Sequence, residues 1–248
     1  SLLAAQPGVD AGRIGVTGIS WGGYLTSIVA GVDARLKAAV PVYGCGFLGM
    51  DSCWNDNTFP ALPAEQVRRW LEHWDPACYL PQARMPLCWI SGTNDFAYPL
   101  SALQKSYNLP PGPRTLCVRV EMPHSHVDGW APAEIGVFMD SLLRGGEPLP
   151  SLGRQGRDGK IVWANFTAAR PIQKAEICFT RALGHWTDRK WNVLRATFDA
   201  GTGRVEAELP RHTTAWFLNI FDDRGCVASL PHESSPVQKE CASIPANS

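Results

Sequence analysis

The stretch from Arg13 to Ala30 constrains this chain more than any other. Arg13-Ile14-Gly15-Val16-Thr17 is apolar and β-leaning, and Tyr24-Leu25-Thr26-Ser27-Ile28-Val29-Ala30 suits a helix. Between them lies Gly18-Ile19-Ser20-Trp21-Gly22-Gly23. A strand passes into a helix over so few residues only through a sharp turn. Glycine at 18 and 22 removes side chains that such a turn would bring into collision. The pattern G-x-S-x-G in this setting predicts a nucleophile elbow, with the serine at the apex in a strained backbone conformation. The Ser20 hydroxyl then sits at the helix N-terminus, and the Trp21 N–H points to where an oxyanion would form. A glycine-rich turn with an ordinary capping serine has the same letters, so the assignment needs partners for Ser20 elsewhere in the chain.

The chain has 248 residues, compatible with one large domain or two smaller ones, and 45% of them are hydrophobic, enough for a core. Basic and acidic residues balance at 23 each. No basic run calls for nucleic acid and no acidic tail calls for a basic partner. No apolar run is long enough to span a bilayer. The start, Ser1-Leu2-Leu3-Ala4-Ala5-Gln6, has no basic segment followed by a long apolar one and no initiator Met. It reads as a processed or truncated start, and a secreted or periplasmic location follows if an N-terminal segment has been removed. Among eight cysteines there is no C-x-x-C pair, which argues against zinc and thioredoxin chemistry. Cys88, Cys117 and Cys178 lie in apolar, strand-like segments. Cys45, Cys53 and Cys78 fall in one irregular region, and Cys226 and Cys241 near the end, so a disulfide within either group is open.

The texture changes along the chain. Up to Leu143, strands alternate with helices. Strands are expected at 13–17, 37–43, 86–90 and 115–120, and helices at 22–30, 63–74, 100–107 and 133–143. Such alternation predicts a parallel sheet covered on both faces. Gly145-Gly146-Glu147-Pro148-Leu149-Pro150-Ser151 is rich in breakers. Beyond it, six short strands separated by turn signals predict a small antiparallel sandwich. The organisation is therefore an α/β domain over 1–145, a linker over 146–158, a β-sandwich over 159–232 and a polar tail over 233–248.

A serine hydroxyl is a weak nucleophile at neutral pH and needs a base, which in turn needs an orienting carboxylate. In this topology the order is Ser, then Asp or Glu, then His, each after a strand. Asp95 follows the 86–90 strand in Ser91-Gly92-Thr93-Asn94-Asp95-Phe96-Ala97-Tyr98-Pro99. It lies on the sheet edge where open α/β sheets bind ligands. The alternative is that Asp95 closes an Asx-turn of its own loop, a task that Asn94 can take instead. The strand at 115–120 leads into Met122-Pro123-His124-Ser125-His126-Val127-Asp128. Of six histidines, His124 and His126 alone sit on a loop after a sheet strand in the right order. His-x-His beside Asp128 also raises a metal site, a weak signal without further ligands.

Val16 to Gly23, Asp33 to Pro41, Ser91 to Pro99 and Met122-Pro123-His124 together resemble the α/β-hydrolase superfamily. The resemblance is closest to its acetyl xylan esterase and prolyl-oligopeptidase-like branches and covers roughly residues 1 to 145. It implies an α/β-hydrolase fold with Ser20 as nucleophile, Asp95 as acid, His124 as base and the Trp21 N–H as one oxyanion donor. His126 falls a step beyond the base. It implies no metal and no organic cofactor. In the superfamily, further strands and the second oxyanion donor precede the nucleophile, whereas here the elbow strand comes almost at once. That departure predicts an open edge on the 13–17 strand and an N-terminal segment outside this sequence, either a separate chain of the same protein that completes the sheet after cleavage or a part that is absent. The second half resembles, loosely, the immunoglobulin-like modules that follow some hydrolase domains.

The connection from Tyr43 to Cys78 leaves the active-site edge and is expected to form a pocket wall. Phe47, Met50, Trp54, Phe59 and Trp130 are candidates to line an apolar site with Trp21. Trp186 and Trp191 offer either a carbohydrate platform or core packing, the latter being commoner. The leading expectation is a serine esterase acting on a small ester or an acylated carbohydrate, such as an acetyl ester. A peptidase on the same machinery and a binding protein that keeps a hydrolase-like body are the rivals. No nucleic acid and no membrane partner are expected.

Overall fold

The computed structural model describes residues 2–234. Four strands form a wholly parallel sheet in the order β1 (Gly15–Ile19), β2 (Ala38–Val42), β3 (Leu87–Gly92) and β4 (Arg114–Arg119). Every residue of β2 and β3 is buried. Strands covered on both faces read as unbroken apolar runs, which is why these two stand out in the sequence. Pro41 lies inside β2 and has no N–H to donate, so the ladder to β3 loses a rung there.

Helix α1 (Trp21–Val32) joins β1 to β2, and α3 (Leu100–Tyr107) joins β3 to β4. The long β2–β3 connection carries α2 (Ala64–His73), which lies on the surface with Val67 and Leu71 packed on the body and Trp70 exposed. After β4 come a short α4 (His126–Trp130) and α5 (Glu134–Leu143), whose Phe138 enters the core. Among the described residues β1 pairs with β2 alone, as the sequence suggested.

The second half is all antiparallel. One sheet runs β5 (Ser151–Asp158), β6 (Ile161–Thr167), β10 (Arg204–Glu208), β9 (Thr197–Asp199). The other runs β12 (Val227–Ser229), β11 (Ala215–Asp222), β7 (Ile172–Thr180), β8 (Trp191–Arg195), with β13 (Glu233–Ser234) beside β11. Val162, Ala164 and Val205 of the first sheet and Ile177, Phe179 and Phe217 of the second are buried in one continuous core. Strand β5 occupies much of the stretch read as a linker, and β13 the start of the stretch read as a tail. At Ala196 the chain passes from one sheet to the other, β8 ending in the second sheet and β9 beginning in the first.

The two halves meet along β4. Val118 N–H donates to Ser229 Oγ (2.8 Å), and Asn219 Nδ2 donates to Val118 O (3.0 Å). Side chains thus take the place of a neighbouring strand on that edge. Close by, Arg119 pairs with Glu134 (2.5 Å), whose buried carboxylate also accepts from Val227 N–H (2.7 Å). All seven described cysteines are free thiols, and Cys241 lies outside the described residues. No helix among the described residues is long and apolar enough to cross a membrane.

Candidate active site

Ser20 closes β1 with φ 57° and ψ −115°, a strained conformation for a residue with a side chain. Its N–H donates to Val42 O (3.0 Å), and its carbonyl accepts from Tyr24 N–H (2.9 Å), so strand and helix hold the turn from both sides. A Cβ on Gly18 would stand 2.4 Å from the carbonyl carbon and oxygen of Gly22. A Cβ on Gly22 itself would meet nothing within 4 Å. The expected collision therefore operates at Gly18 and not at Gly22. The other tight positions are Gly23, 2.4 Å from Val42 O, and Gly44, 2.0 Å from Tyr24 N. The Trp21 N–H begins α1 and has no acceptor among the described residues, leaving it at the positive end of the helix.

His124 is carried by the loop after β4 and Asp95 by the loop after β3, both on the sheet edge of Ser20. His124 Nε2 lies 2.9 Å from Ser20 Oγ, and Nδ1 lies 2.8 Å from Asp95 Oδ2. An ionised carboxylate only accepts, so the proton belongs on Nδ1 and Nε2 is left to accept the serine hydroxyl. Asp95 is fully buried, and its other oxygen accepts from the N–H groups of Ala97 (2.9 Å) and Tyr98 (2.8 Å). Asp95 thus closes the turn of its own loop through one oxygen and meets the imidazole with the other. His126 opens α4, is exposed and stands outside this chain of contacts. Asp128 is taken by Ser125, whose hydroxyl donates to it (2.5 Å) and accepts from its N–H. Among the described residues no three His, Cys, Asp or Glu are grouped to hold a metal ion.

The imidazole is boxed by aromatic rings. Tyr43 stacks on it at 4.4 Å, Phe96 tilts against it at 5.1 Å and Tyr98 lies parallel at 6.2 Å. Tyr43 follows β2 with φ 64°, and its hydroxyl donates to Pro123 O (2.6 Å), tying the ring to the residue before His124. Burial pushes the Tyr43 hydroxyl up to about 12, so it remains a donor across the neutral range. Its place at the end of a buried strand on the site edge was the available signal, and the sequence reading passed over it.

Trp21 leaves 44% of its surface exposed and meets Trp54 at 5.3 Å and Trp70 at 6.3 Å. Trp54 in turn packs on Tyr98 at 5.1 Å. The aromatic wall beside Ser20 therefore contains Trp54, as expected, and Trp70 of α2, which was not foreseen. Phe59 is buried in the core, Phe47 and Met50 turn to Lys105, and Trp130 is exposed on α4. Asp75 folds this connection by accepting from the N–H groups of Phe47, Leu48 and Ala77. Trp186 and Trp191 are both 7% exposed, which closes the carbohydrate-platform option in favour of core packing.

Residues 1–108 match the profile of the prolyl oligopeptidase family. Among solved structures, a puromycin hydrolase superposes with a TM-score of 0.51 at 15% identity, over 59% of this chain and 24% of that one. The matched part has the fold of the α/β hydrolases. An acetyl xylan esterase from Paenibacillus sp. R4 is 24% identical, with a TM-score of 0.48 over 57% of this chain and 49% of its own. The acylaminoacyl peptidase of Pyrococcus horikoshii is 20% identical, with a TM-score of 0.49 over 63% of this chain and 27% of its own length. The matched part is thus less than half of each of those chains. No curated protein matches.

Proposed function

We propose that this protein is an α/β hydrolase that cleaves carboxylic esters through an acyl-enzyme on Ser20. The observation that carries the reading is the unbroken contact from Ser20 Oγ to His124 Nε2 (2.9 Å) and from His124 Nδ1 to Asp95 Oδ2 (2.8 Å). His124 Nε2 takes the hydroxyl proton as Ser20 Oγ attacks the ester carbonyl. The carbonyl oxygen gains the negative charge beside the Trp21 N–H. Asp95 holds the Nδ1–H tautomer and stabilises the imidazolium. His124 then gives the proton to the departing alkoxide, and the ester C–O bond breaks. Water, deprotonated by His124, attacks the acyl-enzyme, releasing the acid and restoring Ser20. The stacked Tyr43 ring favours the imidazolium formed in both halves of the cycle.

The exposed Trp21 indole and its Trp54 and Trp70 neighbours offer apolar area that suits an acyl group or the face of a sugar ring, consistent with short acyl esters of carbohydrates. We read the two antiparallel sheets as an immunoglobulin-like sandwich fixed against β4. A peptidase on the same residues is the second reading, favoured by the family match over residues 1–108. Hydrolysis of p-nitrophenyl acetate and of an N-acyl aminoacyl p-nitroanilide, each with the wild type and Ser20→Ala, tests both. Ester turnover abolished by the substitution supports the esterase, and anilide turnover that exceeds it supports the peptidase. Equal ester rates for the two proteins overturn the assignment of Ser20.

A further inference from the structure

The carboxamide of Asn94 serves no turn of its own. Its Nδ2 donates to the backbone carbonyls of Thr187 (2.8 Å) and Arg189 (2.7 Å), with that of Trp186 at 3.4 Å. These carbonyls belong to the β7–β8 loop of the β-rich half. That loop is braced independently of Asn94. Arg189 donates from Nε and Nη2 to Gly184 O (3.2 and 2.9 Å), and its guanidinium lies 3.7 Å over the Trp186 ring. Three carbonyls converging on one position call for a donor. A carboxylate there would repel them, and an apolar side chain would leave acceptors without partners.

On its other side Asn94 faces the sheet edge. Its Oδ1 accepts from Thr93 Oγ1 (2.7 Å), and Thr93 Oγ1 accepts from Glu121 N–H (2.9 Å). Thr93 is fully buried, and Glu121, with φ 52°, opens the turn that carries His124. One chain of hydrogen bonds therefore runs from the β-rich half to the residue before Asp95 and on to the loop of His124. The acid and the base stand on separate loops, and this is a bond path that ties both to a third, braced element.

We infer that Asn94 is a positioning residue, through which the β7–β8 loop sets the placement of Asp95 relative to His124. The inference rests on the proposed roles of Ser20, His124 and Asp95. A misplacement of about 1 Å in such a constellation costs on the order of 100-fold in rate. Asn94→Ala and Thr93→Val each cut the same path, the first at the loop and the second at Glu121.

The test is p-nitrophenyl acetate kinetics on Asn94→Ala, Thr93→Val and the double variant, with proton NMR of the downfield Nδ1–H of His124. Each single variant is expected to lower kcat about 10- to 100-fold with KM held within about threefold. The double variant is expected within about twofold of the slower single, because both sever one path. The His124 proton, sharp in the wild type, is expected to broaden or vanish in Asn94→Ala. Val205→Ala, which opens a cavity in the other sheet, is expected to lower Tm and keep kcat. If Asn94→Ala fails to fold, Thr93→Val carries the same expectations. The inference is overturned by kcat within threefold of wild type, by losses that multiply in the double variant, or by an equal kcat loss in Val205→Ala. If turnover proves independent of Ser20, the proposed function fails and the NMR signal alone decides: retained sharpness refutes positioning, and broadening supports it.

Discussion

Replacing Asp95 by Asn separates what this carboxylate does for the fold from what it does for the reaction. Asp95 is buried with three hydrogen bonds, two from the N–H groups of Ala97 and Tyr98 and one from His124 Nδ1. Asparagine keeps the first two on its oxygen and turns its amide toward Nδ1. No buried group loses a partner, so stability changes by about 1 kcal/mol or less. The amide donates, however, and Nδ1 must now accept. The ring proton moves to Nε2, which points at Ser20 Oγ and can no longer take its proton. Loss of the correct tautomer in such a triad costs about 10⁴ in kcat, or ~5.5 kcal/mol at 1.36 kcal/mol per decade. Asp95→Ala differs because it strands two buried N–H groups at about 1–3 kcal/mol each. Ester hydrolysis and thermal melts of both variants are the assay. Asn is expected to be inactive at wild-type Tm, and Ala inactive at a lower one. A kcat for Asp95→Asn within tenfold of wild type at unchanged Tm refutes the tautomer argument.

Three further outcomes follow from the same geometry. His124→Ala is expected to abolish ester turnover and His126→Ala to retain it, since His124 alone reaches Ser20 (2.9 Å); the reverse result moves the base by two residues. Gly18→Ala places a Cβ 2.4 Å from Gly22 backbone, which cannot swing aside, so a loss of about 1–3 kcal/mol in urea melts and a displaced Ser20 are expected; Gly22→Ala, with open space, is expected to fold. His232 is depressed from 6.5 to about 4, by burial first and by Arg189 second. The unfolded chain therefore binds a proton between those values that the native state refuses, and stability falls as pH drops through this window, by at most about 3 kcal/mol. Urea melts from pH 7 to 4 check this, and His232→Gln is expected to flatten the slope.

What the sequence disclosed follows burial. The fully covered β2 and β3 stood out as apolar runs, and the elbow stood out because its backbone conformation demands small residues. Ser20, Asp95 and His124 were legible as candidates because each follows a strand of the parallel sheet, which brings all three to one edge. Strand β5 was missed because Ser-Leu-Gly-Arg-Gln-Gly-Arg-Asp is an exposed edge with no apolar alternation. The partners of Asn94 lie on a loop distant in sequence, and no local pattern announces a side chain that bonds backbone carbonyls there. Trp70 lies within the helix expected at 63–74, but helical spacing does not say which face stays open, and the fold turns the indole toward Trp21.

The central assignment is that one serine hydroxyl among many is activated by an adjacent imidazole. Incubation with diisopropyl fluorophosphate, followed by peptide mass mapping, tests it most directly. Attack by an activated Oγ on phosphorus expels fluoride and leaves a stable phosphoryl adduct. Expected is a single adduct on Ser20, absent from His124→Ala and from Ser20→Ala. No adduct on the wild type, or an adduct on another serine that survives Ser20→Ala, contradicts it.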